Sequence, residues 1–122
     1  MALQLNPALD IAYIDQVYGD DPVILYMIFD AFLSDSVPRW HALHQALDNE
    51  DMKESASIVH GLKPSFTMTG LTDIRPKVEL LEKAIKENNP VEALLTMYKA
   101  ISEELNSMIP ILEQESERLK LL

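Results

Sequence analysis

Hydrophobic residues recur every three or four positions along most of the chain, a spacing that predicts amphipathic α-helices. Leu25, Ile28, Phe29 and Phe32 form an early stripe of this kind, and the pattern continues beyond Pro38. The longest stripe alternates by four and three positions and consists of Leu94, Tyr98, Ile101, Leu105, Met108 and Leu112. Such an alternation is typical of the contact line between the helices of a bundle.

Capping residues and prolines divide the pattern into five helical segments with short connections. We expect a short first helix from Asn6-Pro7 to about Tyr18, because asparagine followed by proline often starts a helix. The second segment crosses Pro38, where we expect a kink or a brief break. Successive long amphipathic helices joined by tight turns pack antiparallel. The predicted fold class is therefore all-α, an up-down antiparallel four-helix bundle with a short additional N-terminal helix, in a single domain over residues 1–122.

The composition limits the kinds of site, partner and cellular location that the protein can have. The chain of 122 residues contains no cysteine, which excludes disulfides and thiolate metal sites. The formal net charge of −10 repels nucleic acid and anionic membrane surfaces. The longest apolar run, residues 23–29, is too short to span a bilayer. We expect a cytoplasmic protein that has neither a nucleic acid nor a membrane as a partner.

The third helical segment carries the candidate chemistry. A helix advances by about 100° per residue, so Ile58, Val59, Leu62 and Phe66 gather on one side of this segment. The same rotation points the imidazole of His60 towards solvent. We therefore expect His60 to lie on the surface of the bundle, where a macromolecule can reach it without a pocket.

The neighbours of His60 on this helix leave room for a partner. Lys63 follows by three positions, within helical reach, and Gly61 has no side chain. The residues four before, four after and seven after His60 are all short: Ala56, Pro64 and Thr67. Lys53 adds positive charge to this part of an acidic protein, and Met68 extends the same face. We predict that these residues form a docking surface around His60.

An exposed imidazole is a good nucleophile near neutral pH and needs no base to activate it. Its attack on an activated phosphoryl group would place negative charge on the phosphoryl oxygens, and a nearby ammonium such as that of Lys63 would stabilise this charge. The competing interpretation is that His60 and Lys63 are ordinary solvated side chains. Gly61 and Pro64 are both unfavourable inside a helix, so they indicate either a function at this site or a tolerated kink.

These residues resemble the motif of the histidine-containing phosphotransfer (HPt) domain. That motif is His-x-Leu-Lys-Gly-[Ser/Ala]-[Ser/Ala], with a glycine ten residues after the histidine. The matching residues are His60, Leu62, Lys63, Ser65 and Gly70. The resemblance extends from about Ala8 to Leu119 and also includes Phe32, Pro38, Leu43, Ala46, Asp51, Leu81 and Glu82.

The resemblance implies specific roles. His60 would be phosphorylated, through Nε2, and Lys63 would contact the phosphoryl group. The partners would be receiver domains of response regulators or of hybrid sensor kinases, and the receiver would supply both the aspartyl phosphate and Mg²⁺. The chain itself would need no cofactor or metal. It would act as a monomeric phosphocarrier and not as a kinase that uses ATP.

One position departs from the family pattern. The family usually has glycine four residues after the histidine, and this chain has Pro64. Proline removes the N–H that would bond the carbonyl of His60, and its ring crowds that carbonyl. A second hypothesis is therefore a non-catalytic adaptor, a pseudo-HPt domain that docks a receiver domain without accepting phosphate.

Metal chemistry has weaker support in the sequence. His41 and His44 have a spacing that can bind a metal, but no third ligand is evident. A metal-dependent enzyme inside the bundle would need inward Glu-x-x-His pairs, which the sequence lacks.

Overall fold

The computed structural model describes residues 4–122, and this part of the chain contains helices and no strand. The elements are α1 (Ile11–Tyr18), α2 (Pro22–Ala31), a π-helical turn (Phe32–Ser36), α3 (Val37–Asp48), α4 (Met52–Met68), α5 (Arg75–Lys86) and α6 (Val91–Lys120). Because α2, the π turn and α3 follow one another without interruption, they form a single helical rod. The predicted all-α class is confirmed. None of the helices in residues 4–122 has the length and apolar composition needed to cross a membrane.

The first helix begins later than the sequence predicts. Asn6 closes a separate turn, in which its side chain accepts a hydrogen bond from the backbone N–H of Ala8 at 2.9 Å. The helix starts at Ile11, where Asp10 is the N-cap and accepts a hydrogen bond from the N–H of Tyr13 at 3.0 Å. The predicted start was wrong because asparagine favours turns as well as helix caps.

The irregularity expected at Pro38 is a widened turn and not a break. Within the π turn, the N–H of Val37 donates to the carbonyl of Phe32, five residues earlier. Pro38 has no N–H for the carbonyl of Ser34, and its ring would crowd that carbonyl in a regular helix. A π turn directly before the proline separates these groups and lets the helix continue.

The helices pack in a closed order: α2 and α3 contact α6, α3 contacts α4, α4 contacts α5, and α5 contacts α6. Trp40 is buried in the core. Its ring stacks on Tyr98 at 4.9 Å and meets the edge of Phe66 at 5.8 Å. Its Nε1 donates to Ser102 Oγ at 2.9 Å. These contacts fix α3 against α4 and α6, and thereby also fix the position of Arg39, the residue before Trp40.

Candidate functional site

The site is built on α4, the helix with the side-chain pattern that pointed His60 outward. Asp51 caps this helix by accepting a hydrogen bond from the N–H of Glu54 at 3.0 Å. The predicted inner face is buried and consists of Ile58, Val59, Leu62 and Phe66. The side chain of His60 is 72% exposed on the opposite face. The helical periodicity therefore placed the imidazole correctly.

A buried carboxylate on α5 holds the ring of His60. Glu82 Oε2 lies 3.0 Å from His60 Nδ1, although the Glu82 side chain is only 6% exposed. An ionised carboxylate can only accept hydrogen bonds, so the proton between these atoms belongs to the imidazole. In the neutral ring this assignment leaves the lone pair on Nε2. Glu82 thus selects the tautomer in which the outer nitrogen, Nε2, carries the free lone pair.

Two lysines complete the environment of Glu82. Lys63 Nζ lies 2.6 Å from Oε1, and Lys86 Nζ lies 3.4 Å from Oε2. Burial acts to raise the pKa of the Glu82 carboxyl, but hydrogen bonds from Lys63 and His60 and the charges of Lys63 and Lys86 outweigh it. The net result is a lowered pKa, so Glu82 is ionised at neutral pH.

Lys63 is more buried than its position in the sequence suggests. Its side chain is 15% exposed, because the ammonium reaches towards Glu82 and lies 4.0 Å from Glu79. Helical spacing placed Lys63 one turn from His60, and both side chains contact the same carboxylate. The structure therefore brings the two predicted catalytic residues together through a third residue.

The predicted docking residues all lie on α4. Lys53, Gly61, Pro64 and Met68 are exposed, whereas Ala56 and Thr67 are partly buried. Pro64 does not end the helix, which continues to Met68. Beyond Pro64, a shallow cleft of about 130 Å³ separates α4 from the α2 rod and has Ile28, Phe32, Ser65 and Met68 in its wall.

Arg39 of α3 reaches α4 at Gly61, the residue after His60. Gly61 is rotated by about +100° from His60 on the helix, whereas Lys63, which pairs with Glu82, is rotated by about 60° in the opposite sense. A Cβ atom added to Gly61 would be 3.1 Å from Arg39 Nη2 and 3.8 Å from Arg39 Nη1. The guanidinium therefore lies against the helix at the place where a side chain at position 61 would begin.

The match to known protein families settles the affiliation of the chain. The family model described as the Hpt domain matches residues 27–115, which is more than half of the chain. This chain belongs to the Hpt domain family. The matched part of this Hpt domain contains α3, α4 and α5 completely, and therefore His60, Lys63 and Glu82. Membership implies a phosphorelay carrier in two-component signalling that interacts with receiver domains. No curated protein and no solved structure gives a significant match to this Hpt domain.

Sequence reasoning assigned no role to Glu82, Lys86 or Arg39. For Glu82 a signal was present, because it lies one position after Leu81 and four after Val78, on the apolar side of α5. An acidic residue in such a stripe needs a partner from another element. For Arg39 the sequence contains no comparable signal, since its contact with Gly61 joins two helices.

The remaining histidines do not contribute to this site. His41 and His44 are exposed on α3, and the ring of His44 packs at 5.7 Å from Tyr98. Within residues 4–122, no group of three or more histidine, cysteine, aspartate or glutamate side chains is arranged to hold a metal ion.

Proposed function

We propose that this Hpt domain accepts a phosphoryl group from the aspartate of one receiver domain on His60 and passes it to another receiver domain. The observation that carries the proposal is the hydrogen bond between His60 Nδ1 and the buried Glu82, made by a ring that is 72% exposed. This bond orients the imidazole and leaves Nε2 free to react, while most of the ring stays accessible to a partner.

In the proposed transfer, Nε2 of His60 attacks the phosphorus of the aspartyl phosphate. The P–O bond to the receiver breaks, and the receiver carboxylate leaves with the electron pair. Nδ1 keeps its proton throughout, so the phosphorylated ring becomes positively charged. Glu82, 3.0 Å away, stabilises that positive charge and is already in place before the reaction.

Lys63 has two parts in this proposal. Its ammonium holds Glu82 in the ionised form, which is supported by the 2.6 Å contact and by the lowered pKa of Glu82. We also expect Lys63 to contact the phosphoryl group once the receiver has docked, since it lies one helical turn from His60.

The docking surface is the exposed face of α4 around His60. We assign to it Lys53, Ala56, Gly61, Pro64, Thr67 and Met68. Met68 is 43% exposed at the rim of the cleft between α4 and the α2 rod. An exposed apolar side chain about two helical turns from His60 is suited to packing against a partner protein.

In this proposal the protein is a monomeric cytoplasmic phosphocarrier. It uses no ATP and no cofactor of its own, and Mg²⁺ is bound by the partner receiver domain. For the scaffold we propose the up-down antiparallel four-helix bundle with a short additional N-terminal helix. The closed order of contacts among the α2–α3 rod, α4, α5 and α6 supports this arrangement.

Incubation with a phosphorylated receiver domain tests the function directly. The wild-type protein should form an acid-labile, alkali-stable adduct, and His60→Gln should remove it while the protein stays folded. His41→Gln is the matched control, because His41 is also an exposed helical histidine but lies outside the Glu82 cluster. Labelling of the His60→Gln protein would refute the assignment.

The second candidate is the adaptor that docks a receiver domain without phosphotransfer. Pro64 favours it, because the carbonyl of His60 lacks the usual N–H partner four residues later. The same experiment separates the two candidates. Receiver binding without an adduct supports the adaptor, and formation of the adduct on His60 excludes it.

A further inference from the structure

The cations around His60 differ in whether they are already paired. Lys63 and Lys86 both contact Glu82, on the α5 side of the ring. Arg39 is exposed on the α3 side and, among residues 4–122, has no hydrogen bond or ion pair. One flank of His60 therefore carries two lysines that are both paired with Glu82, and the other carries a guanidinium that is free to bind an anion.

The geometry of α4 places Gly61, and with it the Arg39 guanidinium, beside His60. Successive residues are rotated by about 100° and raised by about 1.5 Å, so the space beside Gly61 adjoins the ring of His60. Arg39 Nη2 lies 3.1 Å from where a Cβ of residue 61 would be. Glycine costs about 0.5–1 kcal/mol relative to alanine inside a helix, yet here it admits the guanidinium.

We propose that Arg39 binds the phosphoryl group at His60, and that Gly61 provides the space for this contact. The inference rests on the proposed phosphotransfer function and adds a catalytic residue to it. A guanidinium presents a planar fork of N–H donors that matches two phosphoryl oxygens, which a lysine ammonium cannot do. Arg39 also approaches from the helix that Trp40 fixes in the core, so its backbone does not have to move.

The two sides of His60 then have complementary roles during transfer. As the P–O bond of the aspartyl phosphate breaks and the bond to Nε2 forms, negative charge spreads over the three remaining phosphoryl oxygens. Arg39 neutralises that charge on the α3 side. The proton on Nδ1 stays in place, and Glu82 balances the positive ring on the α5 side.

A double-mutant cycle tests the proposal, with single-turnover transfer from a phosphorylated receiver as the first readout. Arg39→Ala should slow transfer about tenfold or more, and Arg39→Lys should recover part of the rate because it restores only a point charge. Gly61→Ala should slow transfer about threefold or more by displacing the guanidinium. In the Arg39→Ala background, Gly61→Ala should have no further effect. Lys99→Ala, an exposed cation on α6, controls for the change in net charge.

Labelling with phosphoramidate separates phosphoryl contact from receiver docking. This small donor loses ammonia as its P–N bond breaks, so no protein surface has to dock. Arg39→Ala should slow this labelling too and should shorten the lifetime of phosphorylated His60. Three results would overturn the proposal. The first is that Arg39→Ala slows transfer from the receiver but not labelling by phosphoramidate. The others are a transfer rate of Arg39→Ala within about twofold of wild type, or additive effects of Arg39→Ala and Gly61→Ala on that rate. Failure of the proposed function looks different, because the wild-type protein would then accept phosphate from no receiver while His60 still reacts with phosphoramidate at a rate that depends on Arg39.

Discussion

Among residues 4–122, two glutamates are buried, and only Glu82 contacts the exposed imidazole of His60. The side chains of Glu82 and Glu115 are 6% and 7% exposed, respectively. Arg118, three residues along the same helix, binds both oxygens of Glu115 at 2.7 and 2.8 Å. Glu82 instead receives His60 and Lys63 from a neighbouring helix, in addition to Lys86 from its own helix.

The difference shows what a buried charge can indicate. A buried carboxylate is costly unless it is paired and hydrogen-bonded, so both glutamates need partners. The pair of Glu115 and Arg118 lies within one turn of α6 and therefore reports only on that helix. The cluster around Glu82 forms only when α4 and α5 pack, and it transfers the rigidity of that packing to an exposed imidazole. Both carboxylates are buried, whereas only Glu82 has an exposed imidazole among its partners, and this contact is the reason for proposing a function at its cluster.

The largest effect that separates the two glutamates should come from Glu82→Gln. The amide keeps the shape of the side chain but cannot balance the positive ring that forms during transfer. We expect phosphotransfer to His60 to slow about ten- to a hundredfold, equivalent to about 1.4–2.7 kcal/mol in the barrier. Single-turnover transfer from a phosphorylated receiver measures this change. Glu115→Gln is the matched control and should stay within about twofold of wild type. Equal losses in the two variants would mean that Glu82 contributes only to folding.

A smaller effect is expected for Lys63→Ala, about tenfold in the same transfer reaction, or about 1.4 kcal/mol. Lys86 still contacts Glu82 in that variant, which keeps part of the cluster intact. Combining Lys63→Ala with Glu82→Gln tells how Lys63 acts. If it acts only by holding Glu82, the double variant should be no slower than Glu82→Gln alone. A further loss in the double variant would instead assign to Lys63 a contact with the phosphoryl group. An unchanged rate in Lys63→Ala would remove this residue from the mechanism.

The sequence predicted those parts of the site that depend on a single helix. The outward position of His60 followed from helical periodicity, because a helix fixes the angle between the direction of the imidazole and that of the buried side chains of α4. The contact with Glu82 joins residues 22 positions apart on two helices, so it depends on how α4 and α5 pack. The position of Lys63 one turn from His60 was equally predictable. Its burial against Glu82 was not, because the direction of a flexible lysine side chain depends on which carboxylate of another helix lies nearby.

The fold was predictable to a similar depth. Long stripes such as the one ending at Leu112 identified the helices, and the all-α class followed from them. The start of α1 was misplaced because Asn6 favours a turn and a helix cap alike, and only the position of Asp10 decides between them. An irregularity at Pro38 was predicted, but a missing N–H is compatible with a kink, a break or a widened turn, and the sequence does not distinguish these forms.

The smallest predicted effect concerns acid stability and again compares Glu82→Gln with the wild type. The pKa of Glu82 is lowered from its ordinary value of about 4.5, so the folded state favours the ionised carboxylate. Its contribution to the free energy of unfolding is therefore present above pH 4.5 and is lost as the pH falls through the lowered pKa.

Because the amide keeps part of the hydrogen bonding, we expect Glu82→Gln to be less stable than wild type by about 1 kcal/mol at pH 7. Urea unfolding between pH 7 and pH 3 should show this difference shrinking below pH 4.5. Asp10, whose pKa is also lowered by Thr72 and the N–H of Tyr13, is present in both proteins and cancels from the comparison. A difference that stays constant down to pH 3 would mean that the ionised form of Glu82 does not contribute to stability, and that its cluster with His60 and Lys63 serves the transfer reaction alone.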